Sequence, residues 1–417
     1  MSIKKIKITN FKSFKNLEVE LGNFNILIGA NASGKSNFIQ IFKFLRDITN
    51  DGLNNAISMQ GGIEYLRNIN IGSCEGLSVE IVSDQKYGRV AARGKETGLI
   101  GIQVYETVYK FAIKFKKKGR GFDIAEDKLT QKFDLVKLEI RKKEIEEKEK
   151  LGQGETILSN VNRKINIESL KLPQELPIKE DDVIPPFLKE EKLEPKTLLL
   201  VGRSSFFMPP LFSDISIYDF DPKIPKKATP ITGKADLEEE GGNLAIVLKN
   251  IIENREKERK FSNLVRDLLP FVDNLDVEKF ADKSLLFKLR EVYTKRHYLP
   301  ASLISDGTIN ITALIIALYF EDKPLTIIEE PERNIHPHLI SKMINMMKDA
   351  SIKKQIIVTT HNPEMVKNAD LENILLVSRD KDGFSTISRP ADKEEVKTFL
   401  KNEIGIEELY VQNLLEV

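Results

Sequence analysis

Residues 29 to 36 read Gly-Ala-Asn-Ala-Ser-Gly-Lys-Ser and fit G-x-x-x-x-G-K-[ST] at every fixed position. The apolar stretch Phe24-Asn25-Ile26-Leu27-Ile28 precedes them, and from Asn37 to Leu45 apolar residues recur at helical spacing. Strand, glycine loop and helix, in that order, is the context in which this pattern has physical meaning. The glycines let successive backbone N–H groups turn inward, and the helix N-terminus adds partial positive charge, so the loop is expected to cradle phosphates. Gly29, Asn31, Ala32, Ser33, Gly34 and Asn37 are its nucleotide-binding candidates. Lys35 is expected to reach the β- and γ-phosphates, and the Ser36 hydroxyl to ligate Mg²⁺.

The chain has 417 residues, enough for two or three domain-sized units. Charged residues make up 30% but the net charge is only +1, so no overall basic field draws in nucleic acid. Any DNA contact must come from a local patch, and Lys114, Lys116, Lys117, Lys118 and Arg120 offer one at an expected hairpin tip. The single cysteine, Cys74, excludes an internal disulfide and is expected to be a packing residue. The N-terminus lacks the apolar core of a signal peptide. The longest apolar run, Ile309 to Phe320, is short for a membrane span and contains Asn310. A cytoplasmic protein without a membrane partner is the expectation.

Alternating apolar residues predict strands over Ile3–Ile8, Leu17–Leu21, Leu77–Val82, Tyr109–Phe115 and Val136–Ile140, and hence an antiparallel sheet hydrophobic on one face. Lys142 to Lys150 is almost wholly charged and reads as a short exposed helix or a loop. Pro173 to Pro195 reads as an irregular connection, and Leu198 to Val201 as a small strand. Helices are expected from Asn243 to Ile252, from Phe261 to Val272, after Ser305, from His338 to Lys348 and over Glu394 to Leu415.

Three further features carry chemistry. Leu325-Thr326-Ile327-Ile328 is a buried-type strand that ends in Glu329 and Glu330. Phosphoanhydride hydrolysis needs one group on the metal and another that polarises the attacking water, which suits Glu329 and Glu330 in that order. Ser305 and Gly307 open a helix, where an N-cap and an anion site coincide. His361 follows the strand Gln355–Thr360 and can hydrogen-bond a γ-phosphate or the water.

This set resembles the ATP-binding-cassette (ABC) ATPase head in its order of Walker A, signature, Walker B and switch histidine. It is most similar to the non-transporter branch that contains RecF, SMC and the overcoming-lysogenization-defect (OLD) ATPases. Ile6 to Phe14 resembles that branch's I-x-N-F-[KR]-S-[FI] opening, and Gly29 to Asn37 its G-x-N-x-S-G-K-S-N loop. Glu329-Glu330-Pro331-Glu332 with His336-Pro337 is similar to the OLD-like E-E-P-E-x-x-L-H-P stretch, Thr360 to Pro363 to T-H-[SN]-P, and Gly242 to Ala245 to G-x-N-L-A. Glu329 stands where transporters carry Asp, the signature Ser-Asp-Gly-Thr lacks the transporter's second glycine, and by this resemblance Gln60 lies roughly where a metal-contacting loop glutamine would sit.

The resemblance implies an α/β fold: an ABC-type head with a mixed sheet core flanked by helices, an antiparallel β subdomain and an inserted α+β arm. The expected organisation is residues 1–140 for the N-terminal half of the head, 141–284 for the arm and 285–417 for the C-terminal half. It implies an ATPase using ATP and Mg²⁺, a homodimer or higher homo-oligomer around sandwiched ATP, and work in DNA repair or antiviral defence. Its partners would be DNA or a separate nuclease or effector subunit; the alternative is a regulatory scaffold that binds only an effector protein. The stretch after His361 is shorter than a domain, so no TOPRIM nuclease domain is expected there.

Overall fold

A computed structural model describes residues 3–72, 75–94, 98–116, 121–141, 144–174, 176, 178–190, 192–201, 212–294, 296–401 and 405–416. Cys74, Lys117, Lys118 and Arg120 lie outside the described residues. The chain forms two compact units: residues 1–22, 36–214 and 378–387 make the first, and residues 23–35, 215–377 and 388–417 the second.

The first unit is built on an antiparallel sheet. Its order is Phe14–Glu20, Ile3–Phe11, Leu77–Ser83, Gly98–Phe115, Phe122–Arg141, Glu144–Val161 and Lys164–Lys171, with Tyr87–Gly94 also paired to Gly98–Phe115. Alternation does the sorting expected of it: Leu77, Val79 and Ile81 are buried and the residues between them are half-exposed. The helix Lys35–Asp51 packs Phe44 against Phe11 (5.9 Å between ring centroids) and Phe111 (6.5 Å). Asn10, at φ 56°, is fully buried; its amide donates to Glu75 O (2.9 Å) and its Oδ1 accepts from Asn68 N (2.9 Å).

Two segments differ from the sequence expectation. Lys142 and Lys143 of the charged run lie outside the described residues; residues 144–150 are neither helix nor loop but begin the strand Glu144–Val161. Opposite charges meet across the ladder there, Lys148 with Glu139 (3.3 Å) and Lys150 with Asp134 (2.8 Å), and such cross-strand pairs replace apolar alternation. Leu198 to Val201 is a buried turn rather than a strand. The Leu199 N–H is used by a carboxylate, Asp127 Oδ2 (2.9 Å), instead of a ladder partner.

Asp127 is 2% exposed and also accepts from Tyr109 Oη (2.7 Å) and Asn160 Nδ2 (3.0 Å). Burial pushes its carboxyl up to about 6, against the pull of these donors. The fold therefore binds this proton more tightly than the unfolded chain does. The group's contribution is full below the unfolded pKa near 3.9 and is lost as pH rises through about 6, on the order of 3 kcal/mol in all.

The second unit holds a parallel sheet in the order Ile215–Tyr218, Leu325–Glu329, Gln355–Thr360, Phe24–Ile28 and Ile374–Arg379. Tyr218, Ile328, Val358, Ile26 and Ile374 lie in one register row. Its strands are apolar along their length because both faces are covered. A small antiparallel sheet, Thr229–Pro230, Ser284–Glu291, Val272–Phe280 and Leu299–Pro300, belongs to the same unit. The helices Leu244–Ile252, Arg255–Leu268, Asp306–Tyr319 and Pro337–Ala350 contribute to one continuous core with these sheets. Asn243 of the G-x-N-L-A stretch ties its loop down: its amide donates to Lys234 O and Asp236 O (2.9 and 2.8 Å), and its Oδ1 accepts from Glu238 N. The buried Lys354 donates to Ala317 O (3.1 Å) and Glu321 O (2.6 Å), placing its amine at the C-terminus of the helix Asp306–Tyr319.

Asp127→Asn keeps the connectivity, because its amide oxygen can accept from Asn160 and Leu199 while the Tyr109 hydroxyl reverses to accept from its NH₂. Thermal unfolding at pH 5 and pH 7.5 should therefore show the variant gaining stability on the wild type as pH rises.

Candidate nucleotide-binding site

Parallel pairing sends the carboxyl ends of the strands out of one edge of the sheet. Gly29 follows Ile28 there, Glu330 follows Glu329, His361 follows Thr360 and Asp219 follows Tyr218. Crevices beyond the carboxyl ends of an open parallel sheet are where such folds bind ligands.

In the loop itself, Gly29 is required by close approach: a Cβ there would lie 2.3 Å from Val377 O and 2.8 Å from Ser33 Oγ. Ala32 adopts a left-handed φ of 63°. Asn31 and Ala32 are exposed, whereas Ser33 and Gly34 are buried. Lys35 is 8% exposed and folds back across the loop, its Nζ donating to Gly29 O (2.7 Å) and Ala30 O (3.0 Å). Burial holds its pKa below the usual lysine value, while Glu330 and Glu332 act in the opposite direction. Ser36 and Asn37 continue the helix in the first unit. Asn37 Nδ2 donates to Ser13 Oγ (2.8 Å), so the amide is tied to the N-terminal I-x-N-F-K-S-F turn.

Glu330 has a left-handed φ of 43°, a conformation that costs about 1–3 kcal/mol in a non-glycine residue and collects at functional sites. Its Oε1 lies 2.8 Å from His361 Nδ1 and its Oε2 accepts from Arg333 Nη2 (3.0 Å). Burial pushes the carboxyl up, but Arg333 and His361 outweigh it and hold it below the ordinary value. Glu332 is buried, and its Oε1 accepts from the Thr360 hydroxyl. Burial raises its carboxyl above the usual range. Burial raises the pKa of the Tyr410 phenol, on the helix Ile406–Val411, and the Gly29 backbone acts on it in the opposite direction.

Ser305 is the N-cap of the helix Asp306–Tyr319; its Oγ accepts from Thr308 N (3.2 Å) and sits 2.7 Å from Thr308 Oγ1. Asp306 pairs with Lys226, which offsets the negative charge in the first turn. Gly307 has no room for a side chain, since a Cβ would lie 2.5 Å from Asn334 O.

Gln60 lies in the first unit, where it ends the helix Leu53–Met59. It is buried, and its Oε1 makes no hydrogen bond. The residues expected from the sequence to hold Mg²⁺ are a hydroxyl (Ser36) and an amide oxygen (Gln60) in the first unit and a carboxylate (Glu329) in the second, each a hard donor type that Mg²⁺ accepts. The orphaned buried oxygen of Gln60 fits that use. Among the described residues, no three His, Cys, Asp or Glu side chains gather as a metal site by themselves.

The structure thus brings Lys35, Glu330 and His361 into one electrostatic cluster, and keeps Ser305 and Gly307 on a helix start packed against the Asn334 turn. Sequence reasoning missed Arg333, Asp219, Glu332, Asn310 and Lys226. Arg333 had a signal, being a cation three residues beyond Glu330; the others pair with residues far away in sequence.

Fold and site together define a P-loop head of the ABC type, with the fold seen in SMC head domains. The chain belongs to the AAA family described as "AAA domain, putative AbiEii toxin, Type IV TA system", which matches residues 24–86 and 105–367. The Septu protein PtuA of Bacillus thuringiensis is 38% identical over 58 residues, a match covering 14% of this chain and 15% of that protein. A solved Smc head bound to the C-winged helix domain of ScpA superposes with a TM-score of 0.50 at 16% identity, over 93% of this chain and 98% of that one. An Smc head from Pyrococcus furiosus, with an extended coiled coil and bound to the C-terminal domain of ScpA, gives 0.48 at 16% identity, over 96% and 99%. No helix among the described residues is long and apolar enough to cross a membrane.

Gly307→Ala tests the packing of the signature helix. At an open helical position alanine is better than glycine by about 1 kcal/mol. Here the Asn334 carbonyl must move, at a cost of about 1–3 kcal/mol. Chemical denaturation should find the variant less stable than the wild type, and a more stable variant would disprove the contact.

Proposed function

We propose that the chain is an ATP hydrolase that binds MgATP and closes into a dimer with two composite sites. One observation carries the reading: the Glu330 carboxylate is held at His361 Nδ1, on the sheet edge from which the Lys35 loop also emerges. On this reading Lys35 leaves the carbonyls of Gly29 and Ala30 to bind the β- and γ-phosphates. Gly29, Asn31, Ala32, Ser33, Gly34 and Asn37 line or support the phosphate loop. Ser36, Glu329 and Gln60 would hold Mg²⁺, which when bound neutralises charge on the phosphate oxygens. Glu330 takes the proton of the attacking water, and His361 senses the γ-phosphate. Ser305 and Gly307 of the second chain contact that phosphate from the other side, so ATP bridges two chains that ADP cannot.

The family description and the PtuA resemblance support a role in antiviral defence, with control of a separate nuclease or effector protein as the output. The ScpA domain on the similar Smc head supports a protein partner for a head of this shape. Of the basic hairpin tip, Lys114 and Lys116 are described and exposed, and Lys116 already pairs with Asp123 (3.3 Å). That counter-charge favours effector control over direct action on DNA or DNA repair. Residues 141–284 are proposed as the region that carries this output, in a cytoplasmic protein.

Lys35→Ala should abolish ATP binding measured by titration calorimetry. Glu330→Gln should bind ATP, lose at least 100-fold in turnover (about the loss expected of a general base) and accumulate as a dimer in light scattering. Mixing Lys35→Ala with Ser305→Arg chains should restore activity, because each mixed dimer keeps one intact site. Absence of restoration would rule out the composite site.

A further inference from the structure

Arg333 lies in the turn after Glu330 and is anchored at both its backbone and its side chain. Its carbonyl accepts from Asn310 Nδ2 (2.8 Å), a buried amide one turn into the helix that Ser305 caps. Its N–H donates to Glu330 O (3.0 Å). The guanidinium forks, Nη1 to Asp219 Oδ1 and Nη2 to Glu330 Oε2, each at 3.0 Å. Asp219 follows the strand Ile215–Tyr218, the neighbour of Leu325–Glu329 in the sheet.

Glu330 is therefore gripped through both oxygens from separate elements: its own turn, braced by Asp219, and His361 after the strand Gln355–Thr360. Lys35 and Glu332 also act on this cluster. At 42% exposure a lone arginine–carboxylate pair would contribute little to stability. A planar fork fixed on two carboxylates, with its main chain pinned by Asn310, sets direction instead. The left-handed backbone of Glu330 needs such restraint to persist.

We propose that Arg333, braced by Asp219, is a positioning residue that aims the Glu330 carboxylate at the attacking water. Its guanidinium is engaged by Asp219 and Glu330, so it acts through the Glu330 carboxylate. The inference rests on the reading of Glu330 as the group that activates water.

The test uses the full chain, with ATP affinity and steady-state hydrolysis measured side by side. Arg333→Ala should lower kcat about 10- to 100-fold, the scale of a 1 Å misplacement of a reacting group, with ATP affinity and KM unchanged. Arg333→Lys reaches one acceptor at a time and should recover part of the loss. Asp219→Asn should lower kcat less, and adding it to Arg333→Ala should cost nothing more, since the brace acts only through the arginine. Should Arg333→Ala fail to fold, Arg333→Lys and Asp219→Asn give the same kcat-only reading. Unchanged or raised kcat, parallel loss of ATP affinity, or full additivity would each overturn the proposal. Glu330→Gln, run beside them, separates the two failures. If it hydrolyses normally, the reading of Glu330 falls. If it is inactive while Arg333→Ala keeps full kcat, only the role of Arg333 falls.

Discussion

Parallel strand pairing is the constraint on which the second unit depends. Once Tyr218, Ile328, Val358, Ile26 and Ile374 occupy one register row, the residues that follow each strand leave the sheet at the same edge. A slip of one residue in any strand would turn its side chains to the opposite face and withdraw its terminal group from the cluster. The apolar strands thus act positionally as well as cohesively: they are buried on both faces and set down a lysine, an acid pair and a histidine at adjacent strand ends. Short-range electrostatics then finishes the arrangement, with the Glu330 carboxylate gathering cations from two directions.

The helix Asp306–Tyr319 has two roles that pull on its sequence differently. Almost all of it is buried, which explains its unbroken apolar run. Its first turn is polar and held by capping, by the Asp306–Lys226 pair and by contact with Asn334. Lys354 supplies positive charge at the far end. The Asn310 amide connects that buried rod to the turn beyond Glu330.

The phosphate loop, the acid pair, the histidine and the ABC-type fold were legible in the sequence because each is local: a few residues at a strand end, in fixed spacing. The antiparallel sheet was legible wherever one face is apolar, as at Leu77, Val79 and Ile81. Residues 144–150 were not, because cross-strand ion pairs replace the hydrophobic signal there. Leu198 to Val201 failed for a different reason: a side chain 72 positions away competes for the backbone N–H. Asp219 and Arg333 are likewise 114 positions apart, and no spacing rule joins them. What is written locally can be read locally, and the pairings that tune the site are written across the fold.

The strand Phe24–Ile28 has a further consequence for how the molecule is made. Its two sheet neighbours pair Phe24 with Ile356 and Ile26 with Ile374. As the chain leaves the ribosome, this strand and the loop that follows it emerge long before their supporting partners at Ile356 and Ile374. Closure of so long a loop is slow, and it leaves an apolar strand unpaired meanwhile. The first unit's hairpins, whose strands are close in sequence, can form in that interval. Nascent chains cut short before Ile356 would therefore carry a folded antiparallel sheet and no competent nucleotide site, so that ligand binding waits for the segment from Ile356 to Ile374.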